Sequence, residues 1–335
     1  MADPNSGINQ QENAGLVFAA DLGGTHLRAA TVDETGSIHF RVKHDTPRAE
    51  SAAEIVQSLV AAARECLEQT TAKEHGKPCS IKAVSVAVPG TVNVREGIVV
   101  TVPNLRQLDG YRLTEALTAA LHCPAILEND ANAAAMGEMW RGAARGHSTI
   151  VCVTLGTGVG GGIILDGELW RGVDGAAAEI GHMGVDPFGG VACGCGSRGC
   201  LEVYASATAI VRMTREASPR YPDSSLRIGE NLTAETVYAA GVAGDELALE
   251  VFRRMGVYLG IGLANLINII NPEMIVIGGG VANGWNLFEK HMHQQIAERA
   301  FPLLAARVKI VRAECGDDAG LLGAAKLGFG LTGAC

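Results

Sequence analysis

The same pattern of apolar and glycine residues occurs once in each half of the chain. An apolar run at residues 16–20 leads into Asp21-Leu-Gly-Gly-Thr25 and then into a second apolar run at residues 27–32. In the second half, an apolar run at residues 149–155 leads into the glycine-rich residues 156–162 and a short run at 163–165. Short apolar runs bounded by glycines are typical of buried strands. The sequence therefore predicts two strand–turn–strand units, which form a weak internal repeat at the scale of a domain.

Strand and helix patterns alternate along the rest of the chain. Apolar residues at helical spacing predict a helix at residues 53–69 and a shorter one striped by Leu113, Leu117 and Leu121. A buried helix is predicted at residues 255–270, ended by Pro272. Further strands are predicted at residues 37–43, 81–88, 125–127 and 274–277, with tight turns at 33–36 and 166–167. Alternation of this kind predicts the α/β class.

Length and composition exclude several classes of protein. The 335 residues are too many for one ordinary core and predict two domains. A net charge of −9 argues against a nucleic-acid partner. The most apolar stretch, residues 255–270, is shorter than the ~20 residues that a membrane span needs. Because the N-terminal residues are polar and lack the apolar core of a signal peptide, we expect a cytoplasmic protein that binds no membrane.

Residue types that bind metals cluster in the second half of the chain. His182, Cys193, Cys195 and Cys200 supply one imidazole and three thiols, which is the four-ligand set of a closed structural zinc site. The glycines between the cysteines allow the backbone to turn tightly around a metal. The alternatives are unpaired thiols or a disulfide. An odd total of nine cysteines and a polar N-terminus make the disulfide the weaker of the two.

Two carboxylates flank this cluster. Glu179 precedes His182 by about one helical turn, and Glu202 follows Cys200 closely. Neither carboxylate is needed to hold zinc, but both would be fixed in place by it. A metal that orients two carboxylates and one face of a histidine suits a site for a polar ligand.

The two glycine turns also carry candidate chemistry. Gly156, Gly158 and Gly161 match the spacing of a dinucleotide-binding fingerprint, but that fingerprint requires a helix directly after the glycines, and here the sequence continues as a strand. Backbone amides and a threonine hydroxyl in each turn can instead approach phosphate oxygens, because glycine has no Cβ in the way. Asp21 adds a carboxylate suited to magnesium or its waters. The alternative is a pair of ordinary glycine-rich hairpins, which the pairing and Asp21 disfavour.

Asp130 stands where a predicted strand ends and an alanine-rich helix begins. Either Asn129 or Asp130 could cap that helix. Asp130 could equally be a general base, because clefts in α/β proteins lie at the carboxyl ends of strands. The residues alone leave both interpretations open.

Six motifs stand in the order found in the ROK family of sugar kinases and repressors, which the chain resembles over about residues 16–330. They are Asp21-x-Gly-Gly-Thr25, Glu128-Asn-Asp-Ala-Asn132, Leu155-Gly-Thr-Gly158, Glu179-x-Gly-His182, Cys193-x-Cys-Gly-x-x-Gly-Cys-Leu-Glu202 and Gly278-Gly-Gly280. The chain most resembles the bacterial glucokinases of that family. The resemblance implies an actin-like, hexokinase-type α/β fold with a zinc loop and two domains hinged around a cleft. We expect the smaller domain to comprise residues 1–134 and 321–335, and the larger one residues 135–320.

The resemblance also implies a role for each motif residue. Asp130 would be the catalytic base, and Asp21 would lie by the magnesium that accompanies ATP. Zinc would be structural, held by His182, Cys193, Cys195 and Cys200, with the second ring nitrogen of the histidine left for a sugar hydroxyl. The sugar would be bound by Asn104, Asn129, Asp130, Glu179, His182 and Glu202. The nucleotide would be bound by Asp21, Gly23, Gly24, Thr25, Thr157 and Gly158, with Gly278, Gly279 and Gly280 near the adenosine.

The implied reaction is ATP-dependent phosphorylation of glucose at O6. A kinase for N-acetylmannosamine, N-acetylglucosamine, mannose or fructose is the alternative within the same chemistry. A sugar-sensing transcriptional regulator of the same family is the remote alternative. The repressors of the family carry a winged helix-turn-helix domain in front, whereas only about 16 residues precede the first predicted strand here, which disfavours that alternative. We expect ATP and a hexose as partners, no nucleic acid, and, from the resemblance alone, a homodimer or homotetramer.

Overall fold

A five-stranded sheet organises each of two units of the chain, in a computed structural model that describes residues 15–74 and 79–332. The first unit contains the described residues up to Glu128 and those from Ala324 onward, and the second contains Asn129–Gly323. The polar N-terminal residues 1–14 and Cys335, which is one of the nine cysteines of the chain, lie outside the described residues.

The sheet of the first unit has the strand order β3-β2-β1-β4-β7. Its strands and helices are β1 (Gly15–Leu22), β2 (His26–Val32), β3 (Ile38–Asp45), α1 (Ala52–Lys73), β4 (Ser80–Val88), β5 (Thr91–Asn93), β6 (Ile98–Thr101), α2 (Leu113–Leu121) and β7 (Ala125–Asn129). Strand β1 is antiparallel to β2 and parallel to β4. Because β1 lies inside the sheet with both faces covered, it is apolar over nearly its whole length.

Helix α1 closes the core of the first unit. Its buried face includes Ile55, Leu59 and Cys66, which belong to the same apolar cluster as Phe18 of β1. The predicted helix at 53–69 is therefore confirmed, although the structure extends it to Lys73. The predicted turn at 33–36 and the strands around it are confirmed as well.

The sheet of the second unit has the order β10-β9-β8-β11-β12. Its elements are α3 (Asp130–Arg141), β8 (Ile150–Leu155), β9 (Val159–Leu165), β10 (Glu168–Leu169), α4 (Glu202–Ala205), α5 (Ala207–Ala217), α6 (Ala234–Val242), α7 (Glu246–Ile270), β11 (Met274–Gly278), α8 (Trp285–Arg299), α9 (Pro302–Arg307) and β12 (Lys309–Arg312). Helix α10 (Ala319–Thr332) is the last element of the described residues. Strand β8 is antiparallel to β9 and parallel to β11, as β1 is to β2 and β4. The internal repeat predicted from the sequence is confirmed as a repeated sheet topology.

The prediction that glycines 156–162 form one long turn was wrong. The turn contains only residues 156–158, and Gly160, Gly161 and Gly162 lie within β9, paired with β8. These glycines are needed for packing: a Cβ at Gly162 would lie 2.6 Å from the Cβ of Ala135 on α3, and one at Gly161 would lie 2.3 Å from Ile180. Helix α3 and the turn around Ile180 therefore press closely against this strand.

Helix α7 forms the centre of the second core. The buried helix predicted at 255–270 is confirmed, and it begins earlier, at Glu246, where the side chain of Asp245 accepts the N–H of Ala248. It ends at Asn271, whose φ of 53° is left-handed, directly before Pro272. Within residues 15–74 and 79–332, none of the helices combines the length and apolar content of a membrane span.

Candidate zinc, sugar and phosphate sites

The four predicted metal ligands come together in the second unit. One ligand atom from each of His182, Cys193, Cys195 and Cys200 lies within 4.8 Å of the others. The Sγ of Cys193 lies 3.6 Å from Nδ1 of His182, and the Sγ atoms of Cys195 and Cys200 are 3.7 Å apart.

These separations fit a tetrahedral zinc ion. Bonds of about 2.3 Å to sulfur and about 2.0–2.1 Å to nitrogen at tetrahedral angles place two sulfurs about 3.8 Å apart and a sulfur about 3.6 Å from a nitrogen. A disulfide would instead bring two sulfurs to about 2.0 Å. The donor set and its spacing therefore suit zinc, with all four coordination positions supplied by protein.

The thiols of this cluster have contrasting surroundings. Burial raises the pKa of the Cys200 thiol to about 12, because a thiolate in an apolar setting lacks solvation. The backbone N–H of Ser197 lowers the pKa of the Cys195 thiol by stabilising its thiolate. A bound cation would supply the charge that the buried Cys200 thiolate needs.

Glycines and a tyrosine shape the loop that carries the cysteines. Gly199 has a φ of 72°, and a Cβ there would lie 2.0 Å from the carbonyl oxygen of Asp186. The hydroxyl of Tyr204 donates to Asp186 at 2.8 Å and accepts the N–H of Val191 at 3.1 Å. Its ring stacks on Tyr258 of α7 with centroids 3.8 Å apart. The loop is therefore attached to the core independently of any metal.

His182 presents its second ring nitrogen to Glu179. Because Nδ1 faces Cys193, Nε2 is left on the other side of the ring, 3.8 Å from Oε2 of Glu179. Ala178, directly before this glutamate, has a φ of 65°, a left-handed conformation that costs a non-glycine residue about 1 kcal/mol or more. The chain turns at Ala178, and the exposed carboxylate of Glu179 lies beside the imidazole, where both can hydrogen-bond to a polar ligand.

The turn between β8 and β9, residues 156–158, is fixed by hydrogen bonds to its backbone. Its carbonyls accept from the start of α5: the N–H of Ala207 donates to Gly156 O at 2.8 Å, and the hydroxyl of Thr208 donates to Thr157 O at 2.9 Å. Because the C=O and N–H of one peptide group point in opposite directions, these bonds leave the amides of Thr157 and Gly158 pointing away from α5. We call residues 156–158 the phosphate turn, since its amides and the exposed Thr157 hydroxyl suit phosphate oxygens.

Glu202 contacts this turn directly. Its Oε2 accepts the backbone N–H of Val159 at 3.0 Å. A Cβ added to Gly158 would lie only 2.3 Å from the same oxygen, so glycine is what allows the carboxylate to lie against the turn. The structure thus joins a residue predicted for the sugar to one predicted for the nucleotide.

A cavity of about 580 Å³ opens beside the phosphate turn. Its walls include Thr157, Thr233, Glu235, Gly280 and Asn283. Gly279 brings the end of β11 to the turn: its φ is 86°, and a Cβ there would lie 2.4 Å from Leu155 O. This size suits a nucleoside. Thr233, Glu235 and Asn283 were missed in the sequence, because no motif marks them.

The start of α3 separates the two roles considered for Asp130. The side chain of Asn129 caps the helix by accepting the N–H groups of Ala131 and Asn132. Asp130 lies in the first turn, and its Oδ1 also accepts the N–H of Ala131 at 2.8 Å. The cap is therefore Asn129, which leaves the chemical role of Asp130 as the interpretation to test.

The first unit holds the remaining predicted residues around the β1–β2 turn. The hydroxyl of Thr46 donates to Gly23 O at 2.6 Å, and Gly24 packs against the side chain of Asn104, whose Nδ2 would lie 3.1 Å from a Cβ at residue 24. Asp21 pairs across the hairpin with Arg28, whose Nη1 lies 3.4 Å from Oδ2 of the aspartate. Arg28 was missed in the sequence, although the register of a two-residue turn could have placed it opposite Asp21.

Comparisons with known proteins find related sequences and structures over most of the chain. The sequence model of the ROK family matches residues 17–329. The glucokinase of Halalkalibacterium halodurans is 36% identical over 90% of this chain and 92% of its own length. The glucokinase of Thermotoga maritima is 35% identical over 93% and 96%, respectively. The crystal structure of a ROK family glucokinase from Streptomyces griseus in complex with glucose and AMPPNP aligns with a TM-score of 0.77 at 33% identity, covering 94% of this chain and all of that one.

Proposed function

The chain belongs to the ROK family, and on that premise we propose that it is a glucokinase, which transfers the γ-phosphoryl group of ATP to O6 of glucose. It has the actin-like, hexokinase-type α/β fold expected from the sequence. Glucokinases at 35–36% identity over at least 90% of the chain support this sugar, and the Streptomyces griseus glucokinase in complex with glucose and AMPPNP supports this donor.

The contact between Glu202 and Val159 is the observation that carries the proposal within the structure. It joins Glu202, which closely follows the predicted zinc ligand Cys200, to the glycine turn proposed to bind phosphate, inside one unit. Hydrogen-bonding side chains for a polyol next to amides for a polyphosphate are what a sugar kinase requires. An ordinary zinc knuckle would need neither Glu179 nor Glu202.

In the proposed reaction, Asp130 accepts the proton of the sugar hydroxyl as its oxygen attacks the γ-phosphorus. A positioned base of this kind contributes about 10²- to 10⁴-fold to the rate. Asn129 sets the direction of α3 at its first turn and so orients the adjacent carboxylate. Asn104, Asn129, Glu179, His182 and Glu202 bind the other hydroxyls, and their geometry positions the attacking one.

The amides and hydroxyls of residues 23–25 and 157–158 donate to phosphate oxygens in this proposal, and Gly278–Gly280 contact the adenosine. Magnesium bound with ATP would neutralise phosphate charge. Asp21 is the carboxylate proposed beside it, and Arg28 holds Asp21 across the hairpin. Donors fixed in this way need no rearrangement as negative charge shifts along the phosphates.

His182, Cys193, Cys195 and Cys200 would hold a structural zinc ion, which would add rigidity and, with four protein ligands, would leave no open position for activating water. His182 gives Nδ1 to the metal and Nε2 to the sugar in this assignment, with Glu179 beside it. We further propose that the protein forms a homodimer or homotetramer in solution, as the family resemblance implies.

A coupled assay of ADP release across glucose, mannose, fructose, N-acetylglucosamine and N-acetylmannosamine tests the proposal. We expect glucose to give the highest kcat/KM. A different preferred hexose would leave the chemistry in place and replace the sugar. ADP release that no hexose stimulates would refute the proposed function.

A further inference from the structure

Glu202 lies between the zinc cluster and the phosphate turn. It follows Cys200 by two residues, and Leu201 between them donates its N–H to Met183 O at 2.9 Å while its buried side chain packs near Gly262. Leu201, directly after the predicted metal ligand Cys200, is therefore anchored to the core. The position of the Glu202 backbone is set by the loop that carries Cys193, Cys195 and Cys200.

The same short segment also holds the phosphate turn. Glu202 binds the N–H of Val159, and Ala207 and Thr208 bind the carbonyls of Gly156 and Thr157. Ser206, which caps α5 by accepting the N–H of Ala209, fixes the bend between the two contacts. Residues 202–208 thus bond to three peptide groups in or next to the turn.

A carboxylate has two oxygens, and only one of them lies on the turn. Oε2 of Glu202 is 3.0 Å from the Val159 nitrogen, which leaves the other oxygen, Oε1, for the proposed contact with the sugar. A sugar hydroxyl that binds Glu202 would fix the side chain in one conformation. The entropy cost of ordering the Glu202 side chain would then already be met when phosphate binds the turn. Phosphate bound first would favour sugar binding in the same way.

We propose that Glu202 is a positioning residue for the phosphate turn, and that through it the sugar and the nucleotide each strengthen the binding of the other. The first part rests on the contacts alone, and the second rests on the proposed function. Coupling between two sites is reciprocal and typically amounts to about 5- to 150-fold in affinity.

Isothermal titration calorimetry of AMPPNP with Mg²⁺, on the zinc-loaded full-length protein, measures both parts. Saturating glucose should tighten AMPPNP binding by about fivefold or more in the wild type. Without sugar, Glu202→Ala should weaken AMPPNP binding by about threefold or more, because the turn loses a charged hydrogen-bond acceptor. Its zinc content should stay that of the wild type, since Glu202 is not a ligand.

Two variants of the turn itself separate positioning from general damage. The coupling factor is the Kd of AMPPNP without glucose divided by its Kd with saturating glucose. In Gly158→Ala the new Cβ displaces the Glu202 carboxylate, so this factor should fall toward one although both ligands still bind. In Gly156→Ala the Cβ meets nothing within 4 Å, so the coupling should persist. Neither glycine has a left-handed φ, so alanine is conformationally acceptable at both.

The double variant Gly158→Ala/Glu202→Ala should bind AMPPNP no more weakly than Glu202→Ala alone, because both changes break one contact. A coupling factor near one in the wild type, or full coupling in Gly158→Ala, would overturn the coupling. Unchanged AMPPNP affinity in Glu202→Ala would overturn the positioning role. If wild-type protein binds no glucose, the proposed sugar is wrong, and the sugar-free titrations still decide the positioning role.

Discussion

The side-chain oxygen of Asn129 accepts the backbone N–H of Asn132 at 3.0 Å. This bond, with a second one from Ala131 at 2.9 Å, caps helix α3. The neighbouring Asp130 is therefore not required to start the helix. Its carboxylate can be changed with little effect on folding, which makes its chemical role testable.

Asp130→Asn should retain the fold and glucose binding but lose about 10²- to 10⁴-fold in kcat, because an amide cannot accept the hydroxyl proton. Steady-state kinetics with calorimetric glucose titration measures this. The matched variant Asn129→Ala should instead lower the free energy of unfolding, by about 0.5–2 kcal/mol. If Asp130→Asn kept more than roughly a tenth of the wild-type turnover, Asp130 would not be the base.

Cys195→Ser should lose zinc and activity together, although no cysteine touches the substrate in this account. The metal fixes His182 directly and Glu202 through Cys200, so its loss disturbs the sugar set. Elemental analysis should find about one zinc per wild-type chain, as one complete four-ligand set requires. Cys79→Ser, outside the cluster, should retain the metal. A zinc-free Cys195→Ser enzyme with normal kinetics would show that the metal supports the fold only and does not position the sugar-binding residues.

Glu138→Gln should destabilise the second unit. The carboxylate of Glu138 is buried and accepts the backbone N–H groups of Ala143, Glu314 and Cys315. Glutamine would point an NH₂ donor at one or two of these donors, at a cost of about 1–3 kcal/mol. Urea denaturation should show this loss, while the exposed Glu314→Gln should change stability by less than about 0.5 kcal/mol. Equal stability of the two variants would contradict the role given to Glu138.

The cluster of zinc-type ligands and the glycine turns could be predicted because their residues lie close together in the chain. Three cysteines and a histidine within a short segment satisfy the coordination demands of zinc almost by themselves. A strand, a glycine turn and a second strand likewise define a hairpin locally. The repeated topology followed from seeing this pattern twice.

Other features depend on contacts between distant segments. Gly160 to Gly162 were misassigned to a turn, because nothing local reveals that α3 and Ile180 press on that strand. Glu235 and Asn283 enter the cavity from α6 and from the segment before α8, and neither carries a motif. The bond from Val159 to Glu202 joins residues 43 positions apart, so spacing could not indicate it.

The substrate preference tests the central claim most directly. Glu179, His182 and Glu202 are expected to bind hydroxyls, and a carboxylate left unpaired by a substituted amine would cost about 1–3 kcal/mol. That corresponds to a tenfold to hundredfold preference. With ATP and Mg²⁺, kcat/KM for glucose should exceed that for N-acetylglucosamine and N-acetylmannosamine by this margin, and the product should be glucose 6-phosphate in amounts equal to ADP. A higher kcat/KM for either acetylated sugar, or a product phosphorylated elsewhere, would contradict the account.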